Sequence, residues 1–154
     1  MPIAFDFETC LIRPGLQAPP IVCVSTASAT HADLTPTSGV RGKMAFLLSA
    51  GGTLIGHNVA YDAACLLEWE ADLEDPLLQA YEDDRILDTM ILERIAEIGR
   101  WTSRKLLSLD VCAAAYGLHL TKDQEVRLSY GSVYGAAGSP YQANGTAYNS
   151  GGIF

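Results

Sequence analysis

Two acidic residues near the start of the chain are the first that could do chemistry. Asp6 and Glu8 lie in the run PIAFDFE (residues 2–8), whose Ile and Phe residues alternate with others as in a half-buried strand. Residues two apart on a strand project from the same face, so the two carboxylates would be close neighbours. Such a pair repels unless a cation neutralises it, and carboxylate oxygens favour hard divalent ions such as Mg²⁺ or Mn²⁺.

A second pair of candidate functional residues lies at the predicted start of a helix. Asn58 and Asp62 are four residues apart, so both side chains would lie on one face of that helix. Asp62 could then bring a third carboxylate toward the acidic strand, while the helix N-terminus favours a phosphate or another anion. Taken singly, Asn58 is also explained as a helix N-cap, and Asp62 as a surface acid.

Alternating strands and helices are predicted to position these residues. The expected strands cover residues 2–8, 21–27, 32–34 and 53–56. The expected helices cover residues 40–50, 59–70, 90–98 and 108–116. The first two strands should form a hairpin, and the alternation as a whole predicts an α/β fold. In the helix that carries Asp62, apolar spacing predicts an inward face made of Ala60, Ala63, Ala64 and Leu67.

Several segments together resemble a known enzyme family. The runs AFDFETCL and IGHNVAYDAACL resemble the first two motifs of the DEDD superfamily, the DnaQ-like 3′-to-5′ exonucleases. The runs RILDTMIL, SLDVCAAAYGL and LTKDQEVRLSYG look like the proofreading exonuclease domain of phage-type A-family DNA polymerases. The resemblance covers about residues 2–131. It implies a ribonuclease-H-like three-layer fold, in which helices flank a mixed central β-sheet.

The resemblance also implies a site. Asp6, Glu8 and Asp62 would be the catalytic residues and would ligate two divalent ions, Mg²⁺ or Mn²⁺, at the scissile phosphate. Two such ions activate a water on one side and stabilise the departing 3′ oxygen on the other. Thr9, Leu11 and Asn58 would contact the 3′ end of a single-stranded or frayed DNA strand, from which nucleoside monophosphates are released.

The third motif of the family is missing from the chain. Tyr148 stands where its tyrosine is expected, but the residue four further on is Gly152, and the last 27 residues contain no Asp or Glu. The terminal carboxylate of Phe154 is a remote substitute, and His119 with Asp123 offers a replacement spacing. We expect an exonuclease-like domain over 1–128 and an uncharged Gly/Ser/Tyr-rich tail over 129–154. This ending predicts a truncated or rearranged product without the polymerase domain that normally follows, and impaired catalysis.

Other charged residues have plainer interpretations beside functional ones. Asp88 and Asp110 each stand near a predicted helix start and are best explained as capping residues. His57 either contacts phosphate or stabilises a turn. Three cationic residues could bind a DNA backbone or could lie on a solvated loop. They are Arg100, Arg104 and Lys105.

Composition and net charge argue against several classes of protein. The net charge of −8 argues against binding nucleic acid through a broad basic surface, although it does not argue against a nuclease that holds metals. The chain has neither a run of about 18 apolar residues nor a signal peptide, so we expect a cytoplasmic protein that does not enter a membrane. The four cysteines form no CxxC pair and are predicted to be reduced core residues.

Two functional hypotheses from different classes follow. The first is a metal-dependent proofreading-type 3′-to-5′ exonuclease that acts on DNA ends, alone or with a polymerase or other protein subunit. The alternative is a catalytically inactive nuclease-derived module that binds nucleic acid or protein. A remnant that neither binds nor cuts is a third option.

Overall fold

The computed structural model describes residues 1–10, 12, 15, 17–102, 104 and 107–120. Several predictions fall outside these residues. They concern Leu11, Lys105, Asp123, the third-motif positions Tyr148 and Gly152, the terminal Phe154, and the tail 129–154 as a whole.

The described chain contains five strands and five α-helices. The strands are β1 (Ile3–Thr9), β2 (Ile21–Ala27), β3 (Ala32–Pro36), β4 (Leu54–Gly56) and β5 (Ile86–Asp88). The helices are α1 (Thr37–Ser49), α2 (Val59–Trp69), α3 (Glu74–Glu82), α4 (Thr89–Gly99) and α5 (Leu109–Ala115), with a 3₁₀ turn at Ala71–Leu73. None of these helices is long and apolar enough to cross a membrane.

The strands form one mixed sheet in the order β3-β2-β1-β4-β5. β1 pairs antiparallel with β2, as the hairpin prediction requires, and β2 pairs antiparallel with β3. β4 and β5 add in parallel on the other side of β1. The predicted α/β architecture with a mixed sheet flanked by helices is therefore confirmed, and it is compatible with a three-layer ribonuclease-H-like fold.

The apolar side of β1 supplies the centre of the core. Phe5 and Phe7 are buried and meet edge to face, with ring centroids 5.9 Å apart. They join one cluster with buried residues of α1, α2 and α3, among them Met44, Leu66 and Leu77. All four cysteines are free and buried, as predicted. Because Phe5 and Phe7 point into the core, Asp6 between them points away from it.

Helix α2 buries only part of the face predicted for it. Of the four residues predicted to face inward, Ala63 and Leu67 are partly buried against the core, while Ala60 and Ala64 are exposed. The fully buried residues are Val59, Asp62, Cys65 and Leu66. The prediction was wrong for the two exposed alanines because apolar spacing places an acid outside, whereas this helix carries Asp62 inward against β1. Gly56 helps the approach of α2, since a Cβ at that position would lie 2.6 Å from Val59 Cγ2.

Adjacent leucines of α3 provide a matched test of this packing. Leu77 is 4% exposed and Leu78 is 50% exposed. Leu77→Ala should lower the free energy of unfolding by about 2–5 kcal/mol, because it removes buried methyl groups and leaves a cavity. Leu78→Ala should change it by less than about 0.5 kcal/mol. Urea denaturation followed by circular dichroism measures both values, and equal losses would contradict the described packing.

Candidate functional site

The two acids of β1 lie on the side of the strand that faces away from Phe5 and Phe7. Asp6 is exposed and Glu8 is half-buried. The alternation that predicted a shared face for these two carboxylates is confirmed. The pairing of β1 with β2 shifts register between Glu8 and Thr9, so the regular ladder is interrupted directly after the second acid.

Asp62 reaches the same strand from α2. Its side chain is almost completely buried, at 3% exposure, so the interpretation of Asp62 as a surface acid is wrong. The carboxyl group accepts a hydrogen bond from the backbone N–H of Phe7. Its second oxygen, Oδ2, is buried and has no hydrogen-bond partner among the residues that the structure describes. A buried carboxyl oxygen without a donor is costly, and such groups are rare in folded proteins.

The acids influence one another through their charges. The pKa of Asp62 is raised to about 8, first by burial and then by the negative charges of Asp6, Asp88 and Glu8, while the hydrogen bond from Phe7 opposes the shift. A carboxyl group with that pKa is largely protonated at neutral pH. The structure therefore brings the three predicted acids into one electrostatic unit and adds Asp88 as a fourth acid.

Asp88 connects the starts of two helices. As the N-cap of α4, its carboxylate accepts hydrogen bonds from the N–H groups of Met90, at 2.8 Å, and Ile91, at 3.4 Å. The same carboxylate accepts the N–H groups of Asn58, at 3.0 Å, and Val59, at 2.8 Å, at the start of α2. The predicted capping role is confirmed. The second role escapes sequence analysis because residues 58 and 88 meet only in the folded sheet.

Asn58 stands before α2 without capping it. Its backbone is left-handed, with φ 66° and ψ 47°, and its side chain makes no capping hydrogen bond to the helix. Asparagine tolerates this conformation better than most residues do. Because the carboxylate of Asp88 satisfies the first N–H groups of α2, the interpretation of Asn58 as a capping side chain is wrong. Asn58 is exposed and lies four residues before Asp62, so its amide is accessible to a ligand.

Thr9 is tied to the helix that carries Asp62. Its Oγ1 lies 2.8 Å from the hydroxyl of Tyr61, the residue before Asp62. Burial, the largest cause, raises the pKa of Tyr61 to about 12, so the phenol keeps its proton at neutral pH. Tyr61 is a positioning residue that sequence analysis missed, since a tyrosine in an alanine-rich helix has no distinctive pattern.

His57 has the turn-stabilising role. Its Nε2 lies 2.6 Å from the carbonyl oxygen of Leu107, which can only accept, so Nε2 carries a proton. Its Nδ1 lies 2.9 Å from Oγ1 of Thr89, and that hydroxyl lies 2.9 Å from the carbonyl oxygen of Gly56. The ring therefore joins the end of β4 to α4 and to the segment before α5.

The remaining candidates are placed away from this unit or are engaged elsewhere. Arg100 and Arg104 form ion pairs with Glu93, and Arg104 also pairs with Glu97, so neither arginine is a simple solvated loop charge. Asp110 lies inside the first turn of α5, where the N-cap is Ser108, so the prediction of Asp110 as a cap is wrong. His119 is exposed.

An open groove borders Asp6 on the outward side of the sheet. Its volume is about 520 Å³. The small outward residues of the first three strands help to form it, and the lining includes Ala4, Ala27, Ala32, Ile55, His57 and Leu109. Sequence analysis did not anticipate this groove, although alanines in outward positions of neighbouring strands are the pattern that could have indicated it.

The acids are close but are not arranged as a ligand cage. Among the described residues, no group of three or more His, Cys, Asp or Glu side chains stands in an arrangement that could hold a metal ion. Joint binding of one ion with the buried Asp62 would need the side chains of Asp6 and Glu8 to rotate. Staggered rotamers of exposed and half-buried strand residues allow such a change at low cost.

Comparison with known proteins does not assign the chain to a family. No protein-family model matches it, and no curated protein sequence matches it significantly.

The pKa of Asp62 predicts that stability falls as pH rises. Between the ordinary value of 3.8 and the folded value of about 8, the folded chain holds a proton that the unfolded chain has released. Folding is therefore favoured at the acidic end of this window and loses that advantage as pH rises through the folded pKa. The contribution should fall by on the order of 1 kcal/mol per pH unit.

Asp62→Asn removes the titrating group and should flatten this slope. The control is Asp75→Asn, which changes an exposed acid of α3 and should keep the slope of the unaltered chain. Urea denaturation at a series of pH values, without added divalent ions, gives the free energy of unfolding for all three proteins. An unchanged slope in Asp62→Asn would show that Asp62 does not hold a proton in the folded state.

Proposed function

We propose that this chain is a DEDD-type metal-dependent 3′-to-5′ exonuclease domain whose turnover is weakened by an incomplete set of acids. One observation carries the proposal: the buried Oδ2 of Asp62 has no donor among the described residues and lies in the field of three other carboxylates. Such a group is stable when it keeps a proton or when it meets a cation. The nuclease-like motifs of the sequence favour the cation.

The donor set suits the divalent ions that the resemblance implies. All the candidate ligands are carboxylate oxygens, which are the donors that Mg²⁺ and Mn²⁺ prefer over softer nitrogen and sulfur sites. Asp6 and Glu8 come from β1, and Asp62 comes from α2. Bound divalent ions would supply an activated water and stabilisation of the departing 3′ oxygen.

The chain's own residues hold this arrangement in place. Asp88 fixes the first turn of α2 through two N–H groups, and Phe7 donates to the carboxyl of Asp62. Thr9, bonded to Tyr61, and the exposed Asn58 flank the acids and would contact the terminal nucleotide. The groove beside Asp6 offers a largely apolar surface for an unpaired base, which supports a single-stranded or frayed DNA end as substrate.

Asp88 is engaged in fixing helix starts and is not assigned as the fourth metal ligand. Its Oδ1 accepts three backbone N–H groups and its Oδ2 accepts that of Val59. The family's own fourth acid is missing from the sequence beyond Arg127. Loss of one interaction that acts in the transition state commonly costs about 10²–10³ in rate. Activity far below that of complete enzymes is therefore expected.

A labelled oligonucleotide tests the activity directly. A 5′-labelled single strand incubated with the full chain and Mn²⁺ should shorten stepwise from its 3′ end. Asp6→Ala should abolish the ladder, because it removes a proposed metal ligand. The variant should still fold, because Asp6 is exposed and the core side of β1 is unchanged. Asp75→Ala, which changes an exposed acid of α3, should leave the rate unchanged. A rate equal in all three proteins would assign the cleavage to a contaminant.

An inactive binding module is the second candidate function. It is favoured by the lack of a three-ligand arrangement among the described side chains. Fluorescence anisotropy of the same oligonucleotide separates the two candidates, since a module would bind the strand with Mn²⁺ present and leave its length unchanged. A protein that neither shortens nor binds the strand, and shows no heat with Mn²⁺ in calorimetry, would be a remnant without this function.

A further inference from the structure

The carboxylate of Asp88 lies at the starts of two helices at once. Its Oδ2 accepts the N–H of Val59 at 2.8 Å and its Oδ1 accepts that of Asn58 at 3.0 Å, both at the start of α2. Oδ1 also accepts the N–H groups of Met90 and Ile91 in the first turn of α4. A negative charge is favoured at a helix N-terminus, and hydrogen bonds to a carboxylate are stronger than those between neutral groups. One charged group therefore joins two helices.

The start of α2 depends on this carboxylate. An ordinary N-cap side chain accepts the first N–H groups of its own helix. The side chain of Asn58 makes no such bond, and its backbone is left-handed. The carbonyl oxygen of Asn58 accepts the N–H of Tyr61 at 3.0 Å, which closes the first turn from within. The N–H groups of Asn58 and Val59 are instead satisfied by Asp88, which belongs to β5 and caps α4.

Asp62 belongs to that first turn of α2. Its buried carboxyl group accepts the N–H of Phe7 in β1. The negative charges of Asp6 and Glu8 disfavour a second carboxylate at this place. Because like charges repel, Asp62 stays against β1 only if the turn that carries it is held there.

Helix α4 is a fixed support for Asp88. Its residues Glu93 and Glu97 are buried, and Arg104 forms ion pairs with both. The hydroxyl of Tyr116, at the end of α5, donates a 2.6 Å hydrogen bond to Glu93. Moving α4 would leave these buried charges without partners, which is strongly destabilising. Asp88, at the N-terminus of α4, is therefore a fixed point to which α2 is attached.

We propose that Asp88 is a positioning residue, which holds Asp62 against β1 by joining the first turn of α2 to the N-terminus of α4. The cation affinity at Asp62 then depends on Asp88, although Asp88 does not touch the ion. This dependence on a cation rests on the proposed function, whereas the placement of Asp62 does not. The competing explanation is that core packing of α2 alone, through Val59, Cys65 and Leu66, holds Asp62 in place.

Asp88→Asn separates the two helix starts. Asparagine caps helices as well as aspartate does, so its Oδ1 keeps the N–H groups of α4. Its amide nitrogen replaces Oδ2 and, as a donor, does not accept the N–H of Val59. Asp75→Asn is the matched control, because it removes the same charge from an exposed acid in the first turn of α3. Asp88→Ser, which has one oxygen in place of two, is the second variant if Asp88→Asn does not fold.

Amide hydrogen exchange of the metal-free chain, followed by NMR, tests the placement of Asp62. In Asp88→Asn the N–H of Phe7 should exchange at least about tenfold faster, because its acceptor moves away. The rate is taken relative to the N–H of Leu54, which donates a 2.7 Å hydrogen bond within the sheet, so that a general loss of stability cancels. Asp75→Asn should leave this ratio unchanged. A ratio that Asp88→Asn does not change, or that both variants change equally, would overturn the proposal.

Calorimetry with Mn²⁺ on the same proteins tests the dependence of the cation on Asp88. The unaltered chain and Asp75→Asn should bind Mn²⁺ alike, and Asp88→Asn should bind it at least about tenfold more weakly. Equal affinities, or weaker binding with unchanged exchange at Phe7, would overturn the proposal, since the latter is an effect of charge alone. If the unaltered chain binds no Mn²⁺ while Asp88→Asn speeds exchange at Phe7, the proposed function fails and the positioning role of Asp88 stands.

Discussion

A carboxyl group buried between α2 and the end of β1 is the constraint on which the candidate site depends. Asp62 is held by the Phe7 N–H on one side and is surrounded by the charges of Asp6, Glu8 and Asp88. Burial without a cation or a proton would cost several kcal/mol. An arrangement that concentrates anions around one buried oxygen is poor for stability alone, and it is the arrangement that binding a divalent cation would relieve.

The carboxylate of Asp88 helps to organise the candidate site and is also the N-cap of helix α4. Asp88 caps α4 and holds the first turn of α2, so the position of Asp62 and the orientation of α4 share one anchor. On α4 the acidic residues are matched by arginines, whereas the negative charges of Asp6, Asp88 and Glu8 raise the pKa of Asp62. The two acidic clusters thus differ: ion pairs neutralise the one on α4, whereas in the other the neighbouring carboxylates oppose the ionisation of Asp62.

Sequence patterns predicted most of the fold and only part of the site. The alternation in Ile3–Thr9 placed Asp6 and Glu8 correctly, because one strand face is apolar throughout. The burial of Asp62 was missed, since hydrophobic periodicity assigns an acid to the surface, and two of the four residues predicted to face inward on α2, Ala60 and Ala64, are exposed. β5 is three residues long and depends on pairing with β4, which local sequence does not encode. Helix α4 has a clear period, but its charged face is the inner one.

Carbon-13 NMR of the Asp62 carboxyl group is the most direct test of the central claim. Titration without divalent ions should give an apparent pKa near the folded value of about 8, and saturating Mg²⁺ should lower it by more than about one unit. That result would establish a buried acid that a cation stabilises. A pKa near 4 that Mg²⁺ does not change would contradict the account, because Asp62 would then be an ordinary carboxylate outside any metal site.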